Sequence, residues 1–418
     1  MTPHLRAWLV WAAGLATYLV GVMQRTSFGV AGLDAADRFD AGPALLSGFV
    51  VLQLVVYAAL QVPAGALLDR FGPRLLLTAG AATMAAGQLM LALADGLPLA
   101  ITARVLVGSG DALTFVSVLA VVGAWFPARR VPVMTQLTGL VGQLGQVLSA
   151  VPLAAVLHTA GWAPAFVSAA AWARPSVSRP SPWCATARRA PASAAGAVRA
   201  GAAGRARRGL ARARHPARRL DARRHAVPGT VFALLWGVPY LVAGQGLTAT
   251  AAGGLLTLLV AVGIVAGPVF GELTARYPLR RSWLVLSVMG ATAAAWTAVL
   301  LVPPPAPHWL LGVLVTVLAL GGPASVVAFD YARTFNPGHR RGTAVGIVNA
   351  GGFSVSVLVT LAVGVLLGAG GGAYTPEAFR GAWTVLYAVW AVAVVGVLGA
   401  RRRVRRAAPV VIGAPGRP

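Results

Sequence analysis

Along this chain the polar positions come in short clusters and the apolar positions in long runs, and the length of the runs predicts the solvent. A helix rises 1.5 Å per residue and a bilayer's hydrocarbon core is about 30 Å thick, so one span takes roughly 20 apolar residues. Runs of that kind fall near 8–30, 44–66, 75–95, 98–122 and 132–156, and a sixth starts near Trp162. A shortened seventh falls near 228–243, and five more near 250–271, 282–302, 308–330, 342–368 and 381–400. The pattern predicts an all-α integral membrane protein with twelve spans. The first run is longer than the apolar part of a signal peptide and is followed by many others, so it reads as a retained helix.

Composition agrees with that reading. Of the 418 residues 57% are hydrophobic and 11% charged, with a mean hydropathy of +0.75, whereas a soluble domain carries roughly a quarter charged residues. The net charge of +25 adds orientation, because Arg resists translocation and stays on the cytoplasmic side. With the N-terminus inside, the inner turns hold Arg6, Arg70, Arg74, Arg129, Arg130, Arg276, Arg280, Arg281, Arg333, Arg340, Arg341 and the tail cluster from Arg401 to Arg406. The outer turns hold Asp34, Asp37, Asp40, Asp95 and Glu377, with Arg38 and Arg380 as the basic exceptions. The expectation is a multi-pass protein of the cytoplasmic membrane with both termini inside. Trp162, Trp309 and Trp383 fall at outer span edges and Trp8 and Trp125 at inner ones, as interfacial anchors would.

One stretch breaks the pattern. From Ala173 to Ala226 the chain turns to Arg, Ala, Pro, Ser and Gly, and it holds 14 of the 35 arginines. The divisions expected are therefore 1–172 with an incomplete sixth helix, 173–226 as a basic central segment, 227–400 with a shortened seventh helix, and 401–418 as a basic tail. A long cytoplasmic loop is the ordinary reading of 173–226, but the apolar residues from Ala160 to Trp172 reach only roughly 20 Å. An out-of-frame replacement in a GC-rich gene accounts for both the composition and the complete lack of lysine. Nucleic-acid binding by this run is disfavoured, since it has no aromatic stacking platform.

The chain also repeats itself. Gly65-Ala-Leu67-Leu-Asp69-Arg70-Phe71-Gly72-Pro-Arg74 aligns without a gap with Gly271-Glu-Leu273-Thr-Ala275-Arg276-Tyr277-Pro278-Leu-Arg280, 206 residues later. A six-span unit used twice, with a solute site between its copies, is a recurrent transporter design. The first copy resembles the signature between helices two and three of the major facilitator superfamily. Arg104-Val-Leu-Val-Gly108-Ser-Gly110 resembles that superfamily's motif in its fourth helix. The resemblance implies a twelve-helix fold of two six-helix halves, with helices six and seven disrupted here, and an alternating-access gate at Gly65, Asp69, Arg70, Gly72 and Arg74. In physical terms the Asp69 carboxylate can pair with Arg70, Arg74 or the N-terminus of a neighbouring helix; the blander reading is a positive-inside turn with a tight glycine. The second copy keeps Arg276 and Arg280 but has Ala275 for the acid and Pro278 for the glycine.

Ionisable groups within a span are costly and so point to function. Asp111 lies near the middle of span four and Arg104 two turns earlier, on the same face but out of contact. Arg25 lies in Gln24-Arg25-Thr26-Ser27 of span one. Two readings stay open: Arg25 is the counter-charge for an anionic solute and Asp111 a protonatable coupling group tuned by Arg104, or Arg25 snorkels to the interface and the other two are bridged by other helices. Span one loosely resembles the organic-anion and nitrate branches of the superfamily. Asp330 and Arg333 read as a gate pair. Gln53, Tyr57 and Gln61 share one face of span two, and Trp236 and Tyr240 lie in span seven; both sets either line a cavity or serve as helix-to-helix glue.

The chemistry these residues exclude narrows the function. A lone cysteine, Cys184, and no histidine within an apolar run give no metal or haem site, and no cofactor is expected. Without lysine there is no Walker-type phosphate loop, and no clustered nucleophile, base or metal set suggests an enzyme. The expected function is secondary transport of a small solute by a monomer in the lipid bilayer, with H+ or a counter-anion as co-substrate.

Overall fold

The computed structural model describes residues 3–40, 43–172, 231–232, 236–369 and 375–407. The segment 173–226, on which the frame-replacement reading rests, lies outside them. Every element described is a helix or a helical turn, and among the described residues ten helices are long and apolar enough to cross a membrane.

The order begins with α1 (Pro3–Val30), α2 (Gly32–Phe39), α3 (Pro43–Phe71), α4 (Pro73–Ala92) and α5 (Leu97–Trp125). Next come α6 (Val131–Leu148), a π-turn (Ser149–Leu153), α7 (Ala154–Ala160) and α8 (Trp162–Ala171). Beyond the central segment, Gly237–Pro239 runs into a second π-turn, Tyr240–Gly244. Then follow α9 (Ala249–Arg276), α10 (Arg281–Leu301), α11 (His308–Thr334), α12 (Arg341–Ala369), α13 (Pro376–Trp383) and α14 (Val385–Ala407).

Local chemistry explains the breaks. Pro152 has no N–H and its ring collides with the carbonyl four residues back, and the helix answers by widening into the π-turn between α6 and α7. Gly72 ends α3 at a φ of 81°, where a side chain would be strained, and Pro73 then starts α4. Thr248 and Thr375 cap α9 and α13 by accepting the amide hydrogens of Ala251 and Ala378.

Three features differ from the sequence reading. Several helices overrun their apolar stretch, as α3 does to Phe71 and α11 to Thr334, because a helix continues past the hydrocarbon core into the interface, where hydropathy no longer marks it. The turn with Asp34 is an eight-residue helix, α2, that buries Ala35 and Phe39 and leaves Arg38 exposed. Of the expected aromatic anchors, Trp309 and Trp8 are exposed, but Trp162 and Trp383 are buried in the protein. The indole of Trp162 donates to the Leu91 carbonyl at 2.8 Å, a bond that lipid could not offer.

The chain forms two compact units, residues 1–215 with 332–350 and residues 216–331 with 351–418. In the first, α5 is central and packs on α1, α3, α4 and α6. Small residues allow this: a β-carbon on Gly80 would stand 2.8 Å from the Gly110 carbonyl oxygen, so α4 and α5 touch backbone to backbone. In the second, Phe232, Tyr240, Trp296, Phe379 and Trp383 are fully buried and form an aromatic core.

Candidate functional site

Within the first unit the sequence-selected charges meet inside the helix bundle. Arg25 of α1 turns its guanidinium to Asp111 of α5, with Nη1 3.2 Å from Oδ2. The Arg25 side chain is 16% exposed and that of Asp111 is 0% exposed. This corrects the snorkelling alternative: the charge of Arg25 is spent on a buried carboxylate rather than at the interface. Arg25 also stands over the Tyr57 ring, 5.8 Å from its centroid. Arg104, fully buried two turns before Asp111, packs on the Phe28 ring at 5.1 Å. Its Nη2 donates to the Arg25 carbonyl at 3.0 Å and to Gln53 Oε1.

The neighbours of Arg25 hold α1 in this setting. Gln24 donates through Nε2 to the Ala169 carbonyl of α8 at 2.8 Å, and Gln88 of α4 donates to the Gln24 carbonyl at 2.9 Å and to Ser27 Oγ at 3.1 Å. The hydroxyls of Thr26 and Ser149 lie 2.7 Å apart. Four consecutive residues of α1 thus bond to three different elements besides α5. The sequence reading did not pick out Gln88, although a lone glutamine in an otherwise apolar run was a visible signal.

The Gln53, Tyr57 and Gln61 stripe of α3 is buried throughout. Gln53 meets Arg104, and Tyr57 accepts a hydrogen bond from Asn349 Nδ2 of α12 at 2.8 Å. That is helix-to-helix bonding. Asn349 was another residue missed in the sequence, since its meaning lies in a partner 292 positions away.

At the arginine-bearing end of the same unit, Asp69 accepts three hydrogen bonds from the start of α12. Its Oδ1 takes the Gly342 N–H at 2.7 Å, and its Oδ2 takes the Thr343 N–H at 2.8 Å and the Thr343 hydroxyl at 2.7 Å. The carboxylate therefore sits on the free amides and positive pole of a helix N-terminus. Of the partners the sequence left open, the structure places Asp69 on this one; Arg70 is exposed beside the Phe71 ring at 5.0 Å. The contact requires glycine, because a β-carbon on Gly342 would stand 2.6 Å from the Gly65 carbonyl oxygen. Arg74 is half-buried after Gly72. Arg333 lies against α5, where a β-carbon on Gly123 would be 3.4 Å from its Cδ.

In the second unit, the repeated turn has Arg276 and Arg280 exposed, with Arg280 5.7 Å from the Tyr277 ring centroid. Asp330 is buried there. Trp236 donates through Nε1 to the Thr360 carbonyl at 3.1 Å. Tyr240 accepts from Gln245 Nε2 at 2.9 Å and is ringed by Trp296, Phe379 and Trp383 at 5.5–5.8 Å, so it belongs to the core. A cavity of about 490 Å³ between α9 and α11 is lined by Val265, Val269, Phe270 and Leu320 among others and offers a polar solute almost nothing.

Comparison with known proteins bears on this arrangement. Residues 13–200 match the sequence pattern of the Major Facilitator Superfamily. No curated protein sequence matches the chain. Among solved structures, the crystal structure of a Major Facilitator Superfamily transporter, FucP, in the outward conformation superimposes with a TM-score of 0.69. It is 13% identical, and the match covers 94% of this chain and 99% of that one.

Proposed function

We propose that this chain, of which residues 13–200 match the Major Facilitator Superfamily pattern and whose fold is similar to that of a transporter of that superfamily, is a secondary transporter that moves a small solute across the cytoplasmic membrane by alternating access. The observation that carries the reading is the Arg25–Asp111 pair, a charge pair enclosed by α1, α3 and α5. Burying such groups in a bundle surrounded by lipid costs several kcal/mol and is tolerated where ions or solutes pass. Asp111 serves as the protonatable group, and its release from Arg25 on protonation couples solute movement to H+; exchange against a counter-anion uses the same arginine. The three bonds from Asp69 to α12 hold the arginine-bearing side closed in one state and part in the other. The turns that carry those arginines, and both termini, face the cytoplasm. The protein works as a monomer.

The test is uptake into proteoliposomes with an imposed pH gradient, across a panel of anions, sugars and drugs. Asp111→Asn is expected to abolish the dependence on the gradient. Unchanged dependence would remove Asp111 from the mechanism.

A second reading has its own observation. Helix α8 has ten residues, roughly 15 Å of rise, and the arginine-rich segment begins two residues after it. An out-of-frame replacement of 173–226 would make this the inactive product of a transporter gene. Resequencing decides: an intact frame encoding these residues removes the idea, and failure of the protein to accumulate in membranes supports it.

A further inference from the structure

We infer that Arg104 and Gln53 form a binding site for the oxygen atoms of a singly charged anion, a monocarboxylate being the simplest, distinct from the Arg25–Asp111 pair. The inference deepens the transporter reading by naming a substrate class.

Charge counting comes first. Two guanidiniums and one carboxylate are enclosed in this cluster, and the carboxylate is taken up by Arg25. Among the described residues, the groups that touch Arg104 are neutral: the Arg25 carbonyl, Gln53 Oε1 and the face of Phe28, while Asp111 acts on it only through space. The cluster therefore carries one positive charge in excess, centred on a side chain that is 1% exposed. A buried charge that is not fully balanced is among the costliest arrangements in a protein. A monoanion brings the sum to zero, and a dianion overshoots it.

The unused atoms point the same way. A guanidinium that serves only to tie helices together uses most of its five N–H groups, but Arg104 employs one nitrogen of its three. Its Nε and Nη1, and Nε2 of Gln53, are buried and have no hydrogen-bond partner. All three are donors, the set that an oxyanion satisfies and a cation or an ether cannot. The pair is brought together by the backbone: a β-carbon on Gly108 would stand 2.9 Å from the Gln53 carbonyl oxygen, so α3 and α5 meet closely one turn from Arg104. The carboxylate of Asp111 has an unpartnered Oδ1 on the same helix, which repels a second negative charge on the ligand.

The experiment measures the thermal unfolding of the full chain in lipid nanodiscs at constant ionic strength. The probes are propionate and benzoate, each against its neutral amide. A carboxylate is expected to raise the midpoint by several degrees in a saturable way, and propionamide and benzamide are expected to leave it unchanged. Arg104→Gln is expected to remove the effect. Gln53→Glu places a carboxylate beside Arg104 inside the protein, so it is expected to raise the midpoint without any ligand and to abolish the response to propionate and benzoate. Gln53→Glu decides the matter alone should Arg104→Gln fail to fold. No shift with either carboxylate, equal shifts with acid and amide, or a response that survives Gln53→Glu would each overturn the inference. The transport reading stands or falls separately: a protein that binds carboxylate through Arg104 and moves nothing sinks only transport, whereas a transporter of neutral solutes without this response sinks only the anion site.

Discussion

The two compact units bury opposite kinds of side chain. At the heart of the first lie Arg25, Arg104, Asp111, Gln24, Gln53 and Gln88, stitched across helices by hydrogen bonds. At the heart of the second lie Phe232, Tyr240, Trp296, Phe379 and Trp383, with ring centroids 4.6–6.2 Å apart. The first unit thus concentrates buried charged and amide groups, and the second buried rings. In lipid the hydrophobic effect does not drive helices together, so each unit needs another adhesive. The first uses polar bonds and small-residue contacts, and the second uses large ring surfaces.

The sharpest way to break the comparison is to unbalance the charges. Asp111→Asn leaves Arg25 and Arg104 enclosed without a carboxylate, and loss of one partner of a buried pair is expected to cost about 3–5 kcal/mol. Adding Arg25→Gln returns the cluster to the excess of one positive charge that it had originally. The double variant should therefore melt above Asp111→Asn, by several degrees, in thermal unfolding of the purified protein. If the two substitutions simply add, Arg25 and Asp111 are not energetically a pair and the first unit loses its distinction.

Why that pair escaped the sequence while its members did not is a matter of range. The long apolar runs, the 206-residue repeat and the isolated charges are local patterns, and they disclosed the spans and singled out Arg25, Arg104, Asp111 and Asp69. Partnership is a property of packing. Asp111 is 86 positions from Arg25, and Asp69 is 273 from Gly342; no periodicity links them. The same limit explains Trp162 and Trp383. Their position at a span edge was readable, but whether an edge faces lipid or a neighbouring helix depends on the direction of the helix face. Tyr240 had two open readings for the same reason, and its ring of aromatic neighbours places it in the core.

The repeated turn offers a smaller, better matched contrast. Asp69→Asn replaces an oxygen that accepts amide hydrogens with an NH2 group that cannot, and it removes the charge at the head of α12. A loss of about 1.5–3 kcal/mol is expected, the range for hydrogen bonds to a charged group. In the second copy, Ala275→Asp restores the acid that the alignment lacks. With exposed Arg276 and Arg280 as neighbours, it should change stability by no more than about 0.5 kcal/mol. Thermal unfolding of the two variants side by side checks both. Equal effects would show that the turn, rather than its bond to α12, is what matters.

The finest test uses one substitution twice. Trp162 of the first unit and Trp383 of the second are both buried, at 9% and 0% exposure, and either can be changed to Phe. The area and volume removed are the same, so the transfer and cavity terms nearly cancel in the comparison. What differs is the indole N–H. That of Trp162 donates to the Leu91 carbonyl at 2.8 Å, whereas that of Trp383 has no hydrogen-bond partner, as is true of Trp296 and Trp390. Trp162→Phe forfeits a bond to a carbonyl that keeps only the longer bond from the Ala94 N–H, at 3.3 Å; Trp383→Phe removes a donor that was already stranded. The first should therefore cost about 1 kcal/mol more than the second, read as a difference of a few degrees in unfolding midpoint. Arg38, 5.6 Å from the Trp162 ring centroid, adds to the gap in the same direction, since a phenyl ring attracts a guanidinium less than an indole does. Equal costs would mean that the second unit satisfies its indoles after all, and its core would then be polar glue of the same kind as the first.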